Sequence, residues 1–267
     1  MISVWWDDAA DGPTNMGADE ALAAESLRRG TLLVRVYGWS TTTVSLGAFQ
    51  RLGDAHSVPE IAGVPLVRRP SGGGAIVHGS DLTYAAAVPK THPWGATPQA
   101  LYDALHGAMR EAVDHVGIAA SLWRGADNGE EERGTAAGAE PFFCFDRRSP
   151  GDLVVLGDDA AASGRGVKIM GSAQRRLDGV VLQHGSLLLR RNPQAAGHAC
   201  HPGLADLPGV APLDARGVRR LAEHWLGLVA DGWGVEPIHE SGGFVGQADE
   251  LHRRAEHFRD QRWTGRR

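Results

Sequence analysis

Apolar residues recur every three or four positions in three segments of the chain, which is the spacing of helices that bury one face. Asn, Asp and Thr favour the residue before a helix, and Gly favours the residue after it. The pattern therefore predicts a helix from Met16 to Arg29, which Asn15 precedes and Gly30 follows. It predicts a second helix from Thr97 to Gly117 and a third from Asp214 to Asp231, with Asp214 as the cap.

Short runs rich in β-branched and aromatic residues lie between these helices and predict strands. Leu32 to Tyr37 and Thr42 to Leu46 are separated only by a short turn-like segment, so we expect these two strands to pair. The other predicted strands are Pro65 to Arg69, Ala75 to His78, Leu82 to Val88, Leu153 to Leu156, Val167 to Met170 and Val180 to Leu189.

The order of these elements predicts an α+β fold, because hairpins are more frequent than regular strand–helix–strand units. Residues 1–267 contain no internal repeat and no domain linker, which indicates a single domain. A polar segment from Arg124 to Pro141 is predicted to be a mobile surface loop. After Trp233 we expect only a short charged tail.

Composition narrows the possible partners. The chain has 27 basic and 32 acidic residues and a formal charge of -5, so no overall field attracts it to nucleic acid or to an anionic membrane. No apolar run approaches the ~20 residues that cross a bilayer, and the N-terminus lacks the basic region of a signal peptide. We therefore expect a cytoplasmic protein.

The two cysteines, Cys144 and Cys200, have no metal-like spacing and do not indicate a disulfide scaffold. Cys144 lies between Phe143 and Phe145, where a free cysteine commonly behaves as a small apolar residue. Cys200 has two histidines nearby that could assist a thiolate. Local sequence alone slightly favours Cys200 as a nucleophile.

A glycine-rich stretch runs from Arg68 to Gly79 and includes Gly72, Gly73 and Gly74. Consecutive glycines allow backbone N–H groups to approach a ligand, and Arg69 offers a cation for a phosphate or carboxylate. The same pattern is typical of a simple hairpin turn, and it matches neither a P-loop nor a Rossmann fingerprint.

Two further stretches place polar residues in apolar strands. Lys168 lies between apolar residues and before Gly171, where loss of solvent would favour its neutral amine and a role as proton acceptor. Gln183 and His184 interrupt an apolar run, so they contact either a ligand or each other. A solvated lysine and a structural histidine are the commoner alternatives.

In this order, these stretches resemble the lipoate-protein ligase and octanoyltransferase family, which shares its fold with biotin protein ligases. The resemblance extends from Asn15 through Gly185. It implies a largely antiparallel mixed sheet packed with helices. It also implies catalytic residues Cys144 and Lys168, no metal site, and substrate contacts from Arg69, Ser71, Gly72, Gly73, Gly74, His78, Gly171, Ser172, Ala173, Gln174, Gln183, His184 and Gly185.

Two chemistries divide this family. Ligases activate lipoate with ATP and Mg, whereas octanoyltransferases take an octanoyl group from acyl carrier protein through a cysteine thioester and need no cofactor. The segment from Cys144 to Asp152 resembles the one that bears this cysteine, so the resemblance favours Cys144 over Cys200. The short tail leaves no room for the accessory domain of many ligases.

The transferase interpretation implies a lipoyl-carrier domain, such as the glycine-cleavage H protein, as acceptor, and a monomeric enzyme. Backbone N–H groups near Gly171 and Ser172 would stabilise the oxyanion. The ATP-dependent ligase remains one alternative and a non-catalytic acyl-binding or carrier-domain-binding protein another. The chain departs from the family pattern at Gly79, at Arg148, at Pro150-Gly151 and in an inserted run from Asp158 to Arg165.

Overall fold

The computed structural model describes residues 1–125, 141–155, 166–244 and 248–266. The strands of its main sheet are β1 Ile2–Trp6, β2 Leu32–Tyr37, β6 Asp81–Pro89, β7 Ala120–Leu122, β8 Leu153–Val155, β9 Val167–Leu177, β10 Val180–Leu188 and β11 Pro237–His239. Their order across the sheet is β11-β1-β2-β6-β10-β9-β8-β7. β1 runs parallel to β2 and β11, and the remaining neighbours are antiparallel. The predicted α+β class is confirmed.

A smaller sheet of order β4-β3-β5 contains β3 Thr43–Leu46, β4 Leu66–Arg68 and β5 Ile76–His78. The predicted pairing of β2 with β3 is wrong, because β2 pairs with β1 and β6 whereas β3 pairs with β4 and β5. The connection between them buries Trp39, whose indole N–H donates to Thr83 at 2.9 Å. This anchoring sends the chain to the second sheet instead of closing a hairpin.

The helices are α1 Gly12–Arg29, α2 Leu52–His56, α3 Pro93–Ala96, α4 Pro98–His115, α5 Ala215–Trp233, α6 Ala248–Arg259 and α7 Gln261–Thr264. All three predicted helices are confirmed, but the first begins earlier. Asp11 caps it by accepting from the Thr14 N–H at 2.8 Å, and a proline in the first turn suits this start. Asn15 is therefore not the cap. Its side chain donates to the carbonyls of Ala10 and Gly38.

Helices cover both faces of the main sheet. Successive side chains of a strand point to opposite faces, so a strand such as β6 contributes residues to the core on each side. Tyr84 and Ala86 belong to the core beneath α4 and α5, whereas Ala85 and Ala87 belong to the core beneath α1. Trp225 of α5 is fully buried, and its indole N–H donates to a carbonyl of α4. No helix in the described ranges is long and apolar enough to span a bilayer.

The region after Trp233 is folded, so the prediction of a charged tail is wrong. β11 extends the sheet beside β1, and α6 packs along α1. Phe258 is 1% exposed, which shows that a few apolar residues among many charges were sufficient to anchor α6. Trp263 donates to the Arg68 carbonyl at 2.8 Å and links α7 to the small sheet. The polar segment and the inserted run lie largely outside the described residues.

Replacing Gly17 with Ala should destabilise the protein. A Cβ at this position would stand 2.7 Å from the backbone nitrogen of Ala255 and would force α6 away from α1. We expect Gly17→Ala to lower the free energy of unfolding by about 1–3 kcal/mol in urea denaturation. Gly107→Ala is the matched control on α4, because no heavy atom lies within 4 Å of its added Cβ. It should gain up to ~1 kcal/mol from helix propensity. Equal stabilities for the two variants would contradict this packing.

Candidate active site

Cys144 is held beside the glycine-rich stretch by backbone pairing. The Cys144 N–H donates to the Ala75 carbonyl at 2.8 Å, and the Ala75 N–H donates to the Phe142 carbonyl at 2.9 Å. A Cβ on Gly74 would stand 2.7 Å from the Cys144 nitrogen, so only glycine allows this approach. The sequence separates the two segments widely, and the fold joins them into one site.

Lys168 on β9 reaches the same place. Its Nζ lies 3.8 Å from the Cys144 Sγ and donates to the backbone carbonyls of Cys144 at 3.2 Å and Arg147 at 3.1 Å. It also forms an ion pair with Asp152 at 2.8 Å, where both side chains are at most 3% exposed. A buried cation requires such partners. The amine is therefore held next to the sulfur as a hydrogen-bond donor.

Asp152 organises the surroundings of Lys168. Besides the ion pair, it accepts from the Tyr102 hydroxyl at 2.6 Å and from the Ser149 N–H at 2.6 Å. Gly171 leaves the space that the lysine occupies, because a Cβ there would stand 2.6 Å from the Lys168 Cε. The motif glycine and the aspartate thus fix the direction of the lysine side chain.

Arg69 supports the glycine-rich stretch from inside. Its guanidinium donates to the carbonyls of Ser45, Gly72 and Gly74 at 2.7–2.8 Å, so it stiffens the loop through backbone contacts. Burial lowers the pKa of Arg69 to about 10, and the nearby Cys144 acts in the opposite direction. Gly73 has a φ of +88°, a conformation that favours glycine. The predicted cation is near Cys144 but is committed to the loop.

His184 connects the glycine-rich stretch to α1. Its Nε2 is hydrogen-bonded to the Ser71 hydroxyl, and its Nδ1 lies 2.9 Å from the Asp19 carboxylate. Asp19 also pairs with Arg35 at 2.7 Å and accepts from Tyr37 at 3.1 Å. The polar residue in the apolar strand is therefore fully partnered, and it holds Ser71 in place.

His78 lies in a second network of the same kind. Its Nε2 is 2.8 Å from the Ser45 hydroxyl, and its Nδ1 is 2.8 Å from Asp81. Asp81 also accepts from the Gly79 N–H at 2.9 Å and from Thr83 at 2.7 Å. Asp81 therefore fixes both His78 and the backbone of Gly79.

A third network crosses β9 and β10. The Ser172 hydroxyl lies 2.7 Å from Tyr84 and 2.6 Å from His106, and Gln183 donates to Tyr84 at 2.7 Å. Gln174 donates to Gln183 at 2.7 Å. Ala173 faces His184 and Ser172 faces Gly185 across the strand pair. The predicted alternative in which Gln183 and His184 contact each other is wrong, because Gln183 bonds to Gln174 and Tyr84 whereas His184 bonds to Ser71 and Asp19.

A cavity of ≈ 260 Å³, part of which is open to solvent, lies beside the glycine-rich stretch. Its polar residues direct their hydrogen-bonding atoms into the networks just described, so mainly apolar groups remain to face it. Ile76 forms part of its wall and also packs with Phe145, Leu188 and Cys144. The lining residues are Met16, Tyr37, Trp39, Ser45, Arg69, Ile76, His78, Thr83, His184, Gly185 and Ser186.

Comparison with known proteins identifies the family. Residues 11–225 match the family model described as the lipoyl protein ligase A/B catalytic domain. The chain belongs to this family. Its fold is similar to the crystal structure of a lipoate-protein ligase A bound with ATP, with a TM-score of 0.64 and 16% identity over 98% of this chain and 95% of that one. The predicted ligase-like fold is thus confirmed.

Two relatives are named octanoyltransferase LipM. The one from Moorella thermoacetica is 37% identical over 68% of this chain and 63% of its own length. The one from Macrococcus caseolyticus is 35% identical over 65% of this chain and 60% of its own length. The chain therefore matches less than two thirds of the length of either relative.

Cys200, the second cysteine of the chain, lies in a different environment from Cys144. The Cys200 Sγ lies 3.8 Å from the Asn192 carbonyl, and the Lys168 amine lies beside Cys144 instead. Cys144 thus has a neighbouring cation, although the residues next to it in the sequence supply none. His201 follows Cys200 and packs near Phe143 and Phe145, so the local histidines also border the Cys144 segment.

Sequence reasoning missed several residues of the site. It gave no role of their own to Asp19, Asp81, Tyr102, His106 and Asp152. Most of them act through a partner at a distant position in the chain, such as Tyr102 with Asp152 or Asp19 with His184, whereas Asp81 bonds to His78 three residues before it. Local spacing carries no signal for such pairs. A carboxylate that is buried requires a partner. This rule is the one signal that could have indicated the three aspartates.

Gly171→Ala should slow alkylation of Cys144 by iodoacetamide at neutral pH. The added Cβ would stand 2.8 Å from the Lys168 Nζ and would displace the cation that favours a thiolate. We expect a decrease of about tenfold or more, measured in a Cys200→Ser background. Gly72→Ala is the matched control, because its Cβ would make only 3.5 Å contacts with Phe49. An unchanged rate in Gly171→Ala would show that Lys168 does not activate the sulfur.

The buried His106 should make stability depend on pH. Burial lowers the pKa of His106 from 6.5 to about 4, so the unfolded chain binds a proton in this range and the folded chain does not. The free energy of unfolding should therefore decrease as the pH decreases from 6.5 to about 4, by at most ~1.4 kcal/mol per pH unit.

Urea denaturation at pH values above and within this range measures the effect. His106→Gln should show a weaker pH dependence than the wild type, because the titrating group is gone. His115→Gln, at an exposed position on the same helix, is the control and should keep the wild-type dependence. The same dependence in His106→Gln and wild type would exclude this role for His106.

Proposed function

We propose that this protein is an octanoyltransferase that carries the octanoyl group on Cys144 as a thioester. The observation that supports this most directly is the Lys168 amine 3.8 Å from the Cys144 Sγ. The names of the LipM relatives agree with this chemistry. In the proposed reaction the donor is octanoyl acyl carrier protein and the acceptor is a lysine of a lipoyl-carrier domain, such as the glycine-cleavage H protein.

In the first half-reaction, the Cys144 thiolate attacks the carbonyl carbon of the donor thioester. The Cys144 thiol first releases its proton to solvent. A new carbon–sulfur bond then forms, the bond to the donor sulfur breaks, and the donor leaves as a thiolate that takes up a proton from solvent. Lys168 already donates to Asp152 and to two backbone carbonyls. This arrangement supports a role as a fixed positive charge rather than the proton acceptor expected from sequence.

In the second half-reaction, the acceptor amine attacks the Cys144 thioester. The nitrogen forms an amide, the Cys144 sulfur leaves, and the amine proton is released. The Ser172 N–H points to the Tyr102 hydroxyl oxygen at 3.4 Å, a long contact that an oxyanion could replace. This supports the oxyanion role proposed for Ser172, and that of Gly171 stays a prediction.

The cavity beside Ile76 is the proposed site of the octanoyl chain. Its apolar walls include Met16 and Trp39, and burial of an alkyl chain contributes ~0.8 kcal/mol per methylene. Ile76 lines this cavity and belongs to the apolar cluster against which Cys144 packs, which supports entry of an acyl group from the sulfur. No step of this proposal uses ATP, Mg or another cofactor. Action as a monomer in the cytoplasm stays a prediction.

Intact mass spectrometry after incubation with octanoyl acyl carrier protein tests the function. The wild type should gain the mass of one octanoyl group, because the thioester persists until an acceptor amine arrives. Cys144→Ala should gain none. Cys200→Ser is the matched cysteine control and should be acylated like the wild type. An adduct on Cys144→Ala, or none on the wild type, would contradict the proposal.

The ligase alternative predicts different results. It requires release of pyrophosphate from ATP in the presence of octanoate or lipoate, and this activity would survive Cys144→Ala. Binding of a lipoyl-carrier domain without any transfer would instead favour the non-catalytic alternative. The same purified variants therefore distinguish the three functions.

A further inference from the structure

Cys144 packs against a cluster formed by Ile76, Phe145 and Leu188. Ile76 lines the proposed octanoyl cavity, whereas Phe145 and Leu188 line a second cavity of ≈ 280 Å³, part of which is open to solvent. A thioester has two arms that meet at the carbonyl carbon, so a sulfur that attacks this carbon requires space for both.

The second cavity has an apolar floor and a polar rim. Val77, Phe145, Leu188 and Ala199 supply the apolar surface, and Ser80, Arg190, Asn192 and His201 supply the polar groups. Arg190 is exposed, and its side chain forms no hydrogen bond or ion pair with any other described residue. It is therefore a cation available for a ligand at the rim.

Charges of both signs lie near this cavity. Arg191 and Lys168 lie close enough to His201 for their charges to act on it, and Lys168 is already paired with Asp152. Asp146 has its carboxylate 3.8 Å from the His201 Nδ1, and Asp206 accepts from the Arg191 N–H. Arg190 is therefore the charge at the rim that attracts an anion.

His201 provides a second indication of a ligand. Its Nε2 is buried and has no hydrogen-bond partner among the described residues, which is unfavourable unless another group supplies one. Burial, together with the charge of Lys168, lowers the pKa of His201 to about 4. The imidazole is therefore neutral at neutral pH, and Nε2 can accept from an amide N–H when Nδ1 donates towards Asp146.

We propose that the second cavity binds the leaving arm of the thioester donor, a pantetheine chain, and that Arg190 pairs with its phosphate. This inference rests on the proposed acyl transfer. The amides of pantetheine match the unpartnered His201 nitrogen, its methyl groups match the apolar floor, and its phosphate matches the free guanidinium at the rim. The phosphate is present whether the arm is attached to a carrier protein or free as coenzyme A.

The test compares S-octanoyl phosphopantetheine with S-octanoyl pantetheine, which lacks the phosphate, as donors to Cys144. Acylation rates are followed by intact mass. The wild type should react about threefold to fivefold faster with the phosphorylated donor, because an ion pair at an exposed side chain contributes up to about this much. Arg190→Gln should lose this preference and keep the wild-type rate with the unphosphorylated donor.

Arg220→Gln is the matched control, because Arg220 is exposed on α5 and lines neither cavity. It should keep the preference. Octanoyl coenzyme A and octanoyl acyl carrier protein, tested on the same variants, then separate the free arm from the carrier-bound one. Equal rates for both small donors in the wild type, or an equal decrease for both in Arg190→Gln, would overturn the inference while leaving the thioester mechanism intact. Failure of every donor to acylate Cys144 would overturn the proposed function itself.

Discussion

The buried positive charge of Lys168 is the constraint on which the rest of the site depends. A cation that is only 3% exposed in its side chain must be surrounded by acceptors, and here Asp152 and two carbonyls surround it. One of those carbonyls belongs to Cys144, so the interaction that stabilises the lysine also locates the proposed nucleophile. Stability and chemistry share the same contacts, and Gly171 supplies the space for them.

The hydrogen-bond networks of His184, His78 and His106 also hold the site together. Each joins residues from different strands, helices and loops, and together they remove hydrogen-bonding groups from the surface of the octanoyl cavity. Because most polar atoms around the proposed cavity already have partners, mainly apolar surface remains for an alkyl chain. The same networks hold the glycine-rich stretch rigid against Cys144. The site is therefore preorganised from several directions.

The sequence predicted elements better than it predicted their partners. The α4 and α5 helices follow from apolar periodicity and from the capping residues Thr97 and Asp214, because both signals are local. The pairing of β2 with β3 was wrong because strand partners are selected by tertiary packing around Trp39. The C-terminal α6 was missed because its apolar residues are few, although Phe258 is nearly fully buried.

The sequence by itself determined the family, the α+β class and the candidate residues Cys144 and Lys168, because ordered motifs and local periodicity record these directly. It could not choose between Cys144 and Cys200 by local chemistry, since the histidines near Cys200 are visible and the lysine near Cys144 is 24 positions away. Only the tertiary structure decided which thiol has the cation, which carboxylate holds the lysine, and which apolar cluster packs against Cys144. Charge interactions depend on distance in space, and the chain brings these groups together only when it folds.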